Sequence, residues 1–270
     1  MKTLIVGDVH GCAAPLATLI AEANPDRVLL LGDIFAKGPD PAGVWELIQK
    51  HGARAILGNH DARLLEVWGQ PGDSAHHRCW RLLPEAARLW TAGLPLTLAE
   101  DDWVAVHAGV NPLLGVEGTT REQLLTLRRW PDDANLENPF WWQLYPKVWV
   151  ASPEGPLLAH ARSGPSIRAG HGSAKADPAQ PLTSQSKREQ SQIVENDGAT
   201  QKKQPVLARQ RQNWLGTGAP KRIFYGHDAV RGVQDHGSTV GLDSGCVYGG
   251  KLSGMILESG EILQVRGRNR

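Results

Sequence analysis

Acidic and imidazole side chains recur in this chain beside glycine, each time just after a short apolar run. Gly7-Asp8-Val9-His10-Gly11 follows Thr3–Val6, and Gly32-Asp33-Ile34-Phe35-Ala36-Lys37-Gly38-Pro39 follows Val28–Leu31. Gly58-Asn59-His60-Asp61 follows Ala55–Leu57. Carboxylate oxygen, amide oxygen and imidazole nitrogen are the donors that a hard or borderline divalent cation selects. Two such cations about 3.5–4 Å apart can hold a hydroxide between them and clamp a phosphoryl group for in-line attack. The pair needs one carboxylate that reaches both, and Asp33, from the middle run, is the natural bridge. Asp8 and His10 alternate along what reads as an extended segment, so both face one side and complete the first cation. Asn59, His107 and His227 complete the second. His107 ends the run Trp103–His107, and His227 follows Arg222–Tyr225 in Gly226-His227-Asp228. His60, next to Asn59, points elsewhere and is free to donate a proton to a departing oxygen.

The elements that carry these residues follow from periodicity. Gly-bounded apolar runs read as buried parallel strands, and the segments between them have helical spacing. Ligands of open α/β sheets gather beyond the carboxyl ends of the strands, so three successive strands deliver their polar clusters to one rim. Helices are expected over Leu16–Glu22, over Pro41–Lys50 and from Asp61 to Trp68, where Asp61 caps the helix. The result is a βαβαβα unit with right-handed crossovers. Further on, Trp80–Trp90 reads as one helix, Pro95–Leu98 and Trp103–His107 as a β pair, and Thr120–Arg129 as a helix. Phe140-Trp141-Trp142, with Tyr145 and Trp149, packs in the core or seals a cleft; stacking on an adenine is the other use of such a cluster. From Ser152 to Ala219 the composition turns to Pro, Gly, Ser, Gln, Ala and scattered charge without an apolar period. That stretch is expected to be a disordered or loosely ordered insert (152–219) within a single domain, 1–270. Strands resume at Arg222–Tyr225, Ser238–Leu242, Leu252–Leu257 and Ile262–Val265, mostly at hairpin spacing.

Composition narrows the function classes. A net charge of +1 over 270 residues offers no bulk electrostatic case for nucleic acid or a membrane surface. Cys12, Cys79 and Cys246 are scattered and lack CxxC spacing, which argues against a disulfide framework or a zinc knuckle and suits a reducing cytoplasm. The first strand begins too early for a signal peptide, and no apolar run reaches transmembrane length. Cys12 reads as a small buried residue, while Asp243 and Cys246 shape a turn or pack beneath the site. His51, His76, His77, His160, His171 and His236 lack ligand spacing and read as surface histidines.

Taken together, GDVHG, GD-x₃-KGP, GNHD, VHAG and YGHD resemble the calcineurin-like metallophosphoesterases of the phosphoprotein phosphatase superfamily. The tail from Gly241 to Leu252, GLDSGCVYGGKL, is similar to that of symmetrical diadenosine tetraphosphatases and the ApaH-like phosphatases. The likeness covers roughly residues 1–145 and 220–266. It implies an α/β fold with two mixed β-sheets sandwiched between helices, and a two-metal centre filled by manganese above all, or by iron or zinc. It implies the same six ligands, Asp8, His10, Asp33, Asn59, His107 and His227. The family typically holds a substrate phosphate oxygen with an arginine where Lys37 stands; lysine keeps the charge and loses the bidentate fork. A second phosphate-binding arginine is expected, and Arg128 is the choice. Protein Ser/Thr phosphatases carry an aspartate in place of Ala36, pairing with the proton-donating histidine, and a glutamate in place of Asp61. Both departures point to the ApaH-like branch. The expected function is hydrolysis of a phosphoanhydride or phosphate monoester by a metal-bridging hydroxide. Lys37 and Arg128 would neutralise the equatorial oxygens and His60 would protonate the leaving group. Nucleotide polyphosphates such as diadenosine tetraphosphate are the favoured substrates, and phosphoproteins or inorganic polyphosphate the alternative. A metal-binding scaffold without turnover is the alternative of another class.

Overall fold

The computed structural model describes residues 1–100, 102–149 and 222–268. The expected insert at 152–219 lies outside the described residues, as do His160 and His171. In chain order the elements begin β1 (Thr3–Val6), α1 (Ala13–Ala23), β2 (Arg27–Leu30), α2 (Pro41–His51), β3 (Arg54–Ala55) and α3 (Asn59–Val67). Next come α4 (Ala75–Trp80), α5 (Glu85–Ala92), β4 (Thr97–Glu100), β5 (Trp103–Val106), α6 (Arg121–Thr126) and α7 (Trp141–Trp149). The remainder is β6 (Arg222–Tyr225), β7 (Gln234–Asp235), β8 (Thr239–Gly241), a 3₁₀ turn at Cys246–Tyr248, β9 (Lys251–Ile256) and β10 (Ile262–Arg266).

The strands form two mixed sheets, ordered β10-β9-β1-β2-β3 and β4-β5-β6-β8-β7. Each has three parallel strands, β1, β2 and β3 in one and β5, β6 and β8 in the other, with antiparallel partners at the side. Period-2 alternation then sorts the apolar residues into layers. Leu4, Val6, Val28 and Leu30 face α1 and α2 through Leu16, Leu19, Val44 and Ile48. Ile5, Leu29 and Leu31 face the other way and meet Ala105, Phe224 and Val240 between the sheets. Val104, Val106, Ile223 and Tyr225 point outward again, under Leu124, Leu127, Trp141 and Tyr145. The architecture is therefore α/β, two mixed sheets between helical layers, as the sequence implied. Among the described residues, no helix is long and apolar enough to cross a membrane.

Local chemistry explains the boundaries. At α2 the Asp40 side chain accepts the Gly43 N–H (2.8 Å), Pro41 opens the helix, and Gly52 closes it in a left-handed conformation. The single helix expected over Trp80–Trp90 is two, because Pro84 has no N–H to continue the ladder and instead caps α5. Ser74 starts α4 earlier, accepting the His77 N–H. The run ending at Leu57 is strand only over Arg54–Ala55, since the Leu57 N–H donates to Pro95 O rather than to a strand. The helix after Gly58 opens at Asn59 and not at Asp61, and α6 stops at Thr126. Hairpin spacing misjudged part of the last region. β9 and β10 do form a hairpin, but the short strand β7, absent from the sequence reading, turns the chain so that β8 lies parallel to β6.

Candidate metal centre

Carboxyl ends of the parallel strands from both sheets converge here. β1 leads to Asp8 and His10, β2 to Asp33 and β3 to Asn59; β5 leads to His107, β6 to His227 and β8 to Asp243. A cleft of about 810 Å³ opens over them, lined also by His60, Lys37, Arg128 and Tyr248. One donor atom each from Asp8, His10 and Asp33 lie within 4.8 Å of one another, and so do those of Asp33, His107 and His227. Asp33 belongs to both groups. Asn59 joins the second, its Oδ1 lying 3.0 Å from His107 Nε2 and 3.1 Å from His227 Nδ1.

Two backbone carbonyls decide which imidazole nitrogens carry lone pairs. His107 Nδ1 lies 2.7 Å from Leu31 O, and His10 Nδ1 lies 3.1 Å from Ala36 O. A carbonyl oxygen only accepts, so both Nδ1 atoms are protonated. In the neutral rings Nε2 is then a bare acceptor, yet His107 Nε2 faces Asn59 Oδ1 at 3.0 Å and Asp33 Oδ1 at 3.5 Å. His10 Nε2 likewise faces Asp33 Oδ2 at 3.6 Å and Asp8 Oδ2 at 4.0 Å. Lone pairs gathered on lone pairs repel unless a cation sits among them. His227 turns its Nδ1 to the same Asn59 Oδ1 (3.1 Å), and its ring meets that of His107 edge-on, centroids 5.1 Å apart. This donor set fits divalent cations.

Electrostatics agree. Burial raises Asp8 well above the usual carboxylate range, and Asp243 and Asp33 push it further. Burial likewise lifts Asp33 to about 7, against the pull of the His60 N–H and Lys37. Burial pushes His10 well down and takes His227 to about 2, so both rings are neutral near pH 7. A cation entering the site must therefore displace protons from carboxyl groups and none from the imidazoles. Manganese affinity is expected to rise with pH, by about tenfold per unit for each proton released, up to about pH 7. Calorimetry in buffers of different ionisation enthalpy reads the proton release; an affinity that is flat or falls from pH 5.5 to 7.5 would contradict it.

The backbone is bent to make this convergence. His10, Asp33, Lys37 and His227 have φ of 49°, 52°, 78° and 66°, a region that non-glycine residues seldom enter. Each such residue stores about 1–3 kcal/mol that the surrounding structure must hold in place. The extended segment expected through Asp8 and His10 is thus absent. The chain turns left-handed at His10, and that turn, not strand alternation, brings its ring to the Asp8 carboxylate.

Asp33 is pinned from the third loop, where His60 N–H donates to its Oδ1 (2.8 Å) at the start of α3. Asp61 is wholly buried and does more than cap: its two oxygens accept the Ile34 and Gly58 N–H groups (2.9 and 3.1 Å), tying the Asp33 loop to the Asn59 loop. Lys37 Nζ donates to Tyr248 OH (2.7 Å) at the cleft. Arg128 lies beyond the end of α6 and not within a helix; its Nη2 donates to His227 O (3.1 Å), which aims the guanidinium into the cleft. Asp243 Oδ1 accepts the Gly245 N–H (3.0 Å), a turn-shaping role, while its carboxyl also lies against Asp8.

Trp141 and Tyr145 are almost fully buried, with Trp141 packed edge-on against both Tyr145 and Tyr225, so they serve the core and do not stack a base. Cys12 and Cys246 are buried as expected. Sequence spacing missed two residues of the cleft region. Tyr248 reaches it from the 3₁₀ turn, signalled only as an aromatic inside the Gly-rich tail. His76, read as a surface histidine, sits 3.0 Å from His60 Nδ1.

Comparison with known proteins bears on family and fold. A family model described as calcineurin-like phosphoesterase matches residues 1–231. A symmetrical bis(5'-nucleosyl)-tetraphosphatase of Pectobacterium carotovorum is 39% identical over 125 residues, covering 42% of this chain and 44% of that protein. The enzyme of the same name from Photorhabdus laumondii is 36% identical over 130 residues, covering 43% and 47%. The matched region thus spans less than half the length of either relative. A crystal structure named as a candidate diadenosine tetraphosphatase superposes with a TM-score of 0.66 at 23% identity, covering 100% of this chain and 95% of that one, a likeness of fold.

Proposed function

Because this chain belongs to the calcineurin-like phosphoesterase family, we propose that it is a hydrolase using two divalent cations to cleave phosphoanhydride or phosphate ester bonds. Its preferred substrates are dinucleoside tetraphosphates such as diadenosine tetraphosphate. The observation that carries the reading is the sharing of Asp33 between two groups of donors whose imidazole lone pairs point at other acceptors. Asp8, His10 and Asp33 hold one cation, and Asp33, Asn59, His107 and His227 the other. When bound, the cations supply an activated water and offset charge on the phosphoryl oxygens. Manganese suits the mixture of oxygen and imidazole donors.

The side chains supply the rest. Arg128, held by His227 O through Nη2 and paired with Asp133 through Nη1 (3.6 Å), offers its guanidinium charge to a phosphate oxygen. Lys37, steered by Tyr248, adds a second positive charge. Burial and the neighbouring Lys37 hold His60 down to about 3, so without substrate it is neutral. An arriving phosphate dianion offsets that positive field and favours the protonated ring, which then passes its proton to the departing oxygen. Symmetrical cleavage of a dinucleoside tetraphosphate releases two nucleoside diphosphates. The relatives named for that reaction, Ala36, Asp61 and the Gly241–Leu252 tail support this choice over a phosphoprotein. The three cysteines are free and buried, which suits our placement of the enzyme in the reducing cytoplasm.

The test is a panel of diadenosine tetraphosphate, phosphopeptides, polyphosphate, capped RNA and an aryl phosphate, assayed on manganese-loaded protein. Diadenosine tetraphosphate should be turned over fastest and yield ADP alone. Phosphopeptide turnover far above that rate would move the assignment to a protein phosphatase. Stoichiometric metal with no turnover of any substrate would leave a metal-binding scaffold.

A further inference from the structure

Beyond the motifs, one histidine is joined directly to the candidate proton donor. His76 lies on the short helix α4 and is half-buried. Its ring lies edge to edge with that of His60, centroids 5.2 Å apart and planes within 10°. His76 Nε2 is 3.0 Å from His60 Nδ1, a distance at which one nitrogen donates and the other accepts. With Nδ1 engaged, Nε2 is the nitrogen of His60 left for the cleft. The other side of the ring is met by His10, edge-on at 5.2 Å.

The placement of His76 is built into α4. Cys79 and Trp80 follow it at i+3 and i+4 and so share its face. Cys79 is buried in the core, and Trp80 packs on Trp68 just beyond α3, 6.1 Å between centroids. The contacts that anchor α4 therefore also set the height of the His76 ring beside His60. Ser74 adds to this by capping the helix two residues earlier.

We propose that His76 is a positioning residue, which holds the His60 ring by its Nδ1 and so directs His60 Nε2 at the leaving oxygen. The inference rests on the phosphoesterase reading and deepens it. A ring released from this bond can swing about its side-chain torsions, and misplacement by about 1 Å is enough to lower a proton-transfer step by about 100-fold.

The experiment compares wild type, His76→Ala, His76→Gln, His60→Ala and the double variant His60→Ala/His76→Ala as full-length, manganese-loaded proteins. Phenyl phosphate, with a poor leaving group, is set against 4-nitrophenyl phosphate, with a good one. His76→Ala should lower kcat on phenyl phosphate by about 10- to 100-fold with little change in KM, and its loss on the nitro ester should be several-fold smaller. His76→Gln, whose carboxamide can reach the same nitrogen, should recover most of the difference. The double variant should be no worse than His60→Ala. Equal losses on both esters, losses that add in the double variant, or no loss at all would overturn the proposal. Long-range ¹H–¹⁵N spectra of the zinc-loaded protein give a readout independent of turnover. The His60 tautomer ratio should change in His76→Ala, and an unchanged ratio refutes the positioning role. Absence of metal-dependent hydrolysis in wild type, with the tautomer effect present, would sink the enzymatic reading alone.

Discussion

Asp33→Asn is expected to reduce turnover by at least about 10³-fold, a loss of about 4 kcal/mol of transition-state stabilisation. The asparagine oxygen can still accept the His60 N–H at the start of α3, so the loop should keep its path. What disappears is the second anionic oxygen, and with it the one group common to both donor sets. Metal content measured by plasma emission should fall to one ion per chain or fewer. Stability of the metal-free protein should move the other way. The Asp33 carboxyl is raised to about 7, so its contribution is fully present below about pH 4 and lost as pH rises through about 7. Above that pH wild type carries a buried, poorly compensated charge that the variant lacks. At pH 8, with chelator present, Asp33→Asn should melt at or above the wild-type temperature. A variant with both metals and more than a tenth of wild-type activity would refute the shared role of Asp33.

Gly58→Ala should be nearly as damaging, though the residue has no side chain to do chemistry. Gly58 is extended and needs no left-handed freedom. Its hydrogen atoms face the neighbouring loop, and a Cβ there would overlap both the Asp33 amide nitrogen and Asp33 Oδ1. That nitrogen is backbone and cannot rotate aside. The Asp33 and Asn59 loops would have to separate, breaking the Asp61 hydrogen bonds to Ile34 and Gly58 that join them. Overpacking of this kind destabilises by about 1–3 kcal/mol. The larger expected effect is on the centre, where loss of register between the loops should lower kcat by about 10²-fold or more and release metal. Calorimetric melting and metal analysis check the two parts separately. Gly226→Ala makes a useful comparison, because its Cβ would meet the Asp8 carboxylate oxygen rather than backbone. If Gly58→Ala binds metal and turns over like wild type, the close approach of the two loops is not a requirement of the site.

Much of this protein can be read from local sequence. Gly-bounded runs such as Thr3–Val6 are apolar on both faces, and a strand covered on both faces needs that pattern wherever it lies in the fold. The types of donor atom belong to the residues themselves, so Asp8, Asp33 and His227 could be picked out as metal-ligand candidates before any contact was known. Helix α2 was legible over Pro41–Lys50 because helical spacing of apolar residues is a local pattern.

What the sequence left open depends on groups far apart along the chain. The left-handed turns at His10, Asp33 and His227 have no local signature, since none of these residues favours φ > 0 without surrounding contacts to hold it there. The protonated nitrogen of His107 is chosen by Leu31 O, 76 residues away, and that of His10 by Ala36 O, 26 away. His76 met His60 only because Cys79 and Trp80 dock α4 against the core and α3. Local patterning determines which segments are strands and helices and which polar residues follow them. Only packing between distant segments decides where each lone pair points.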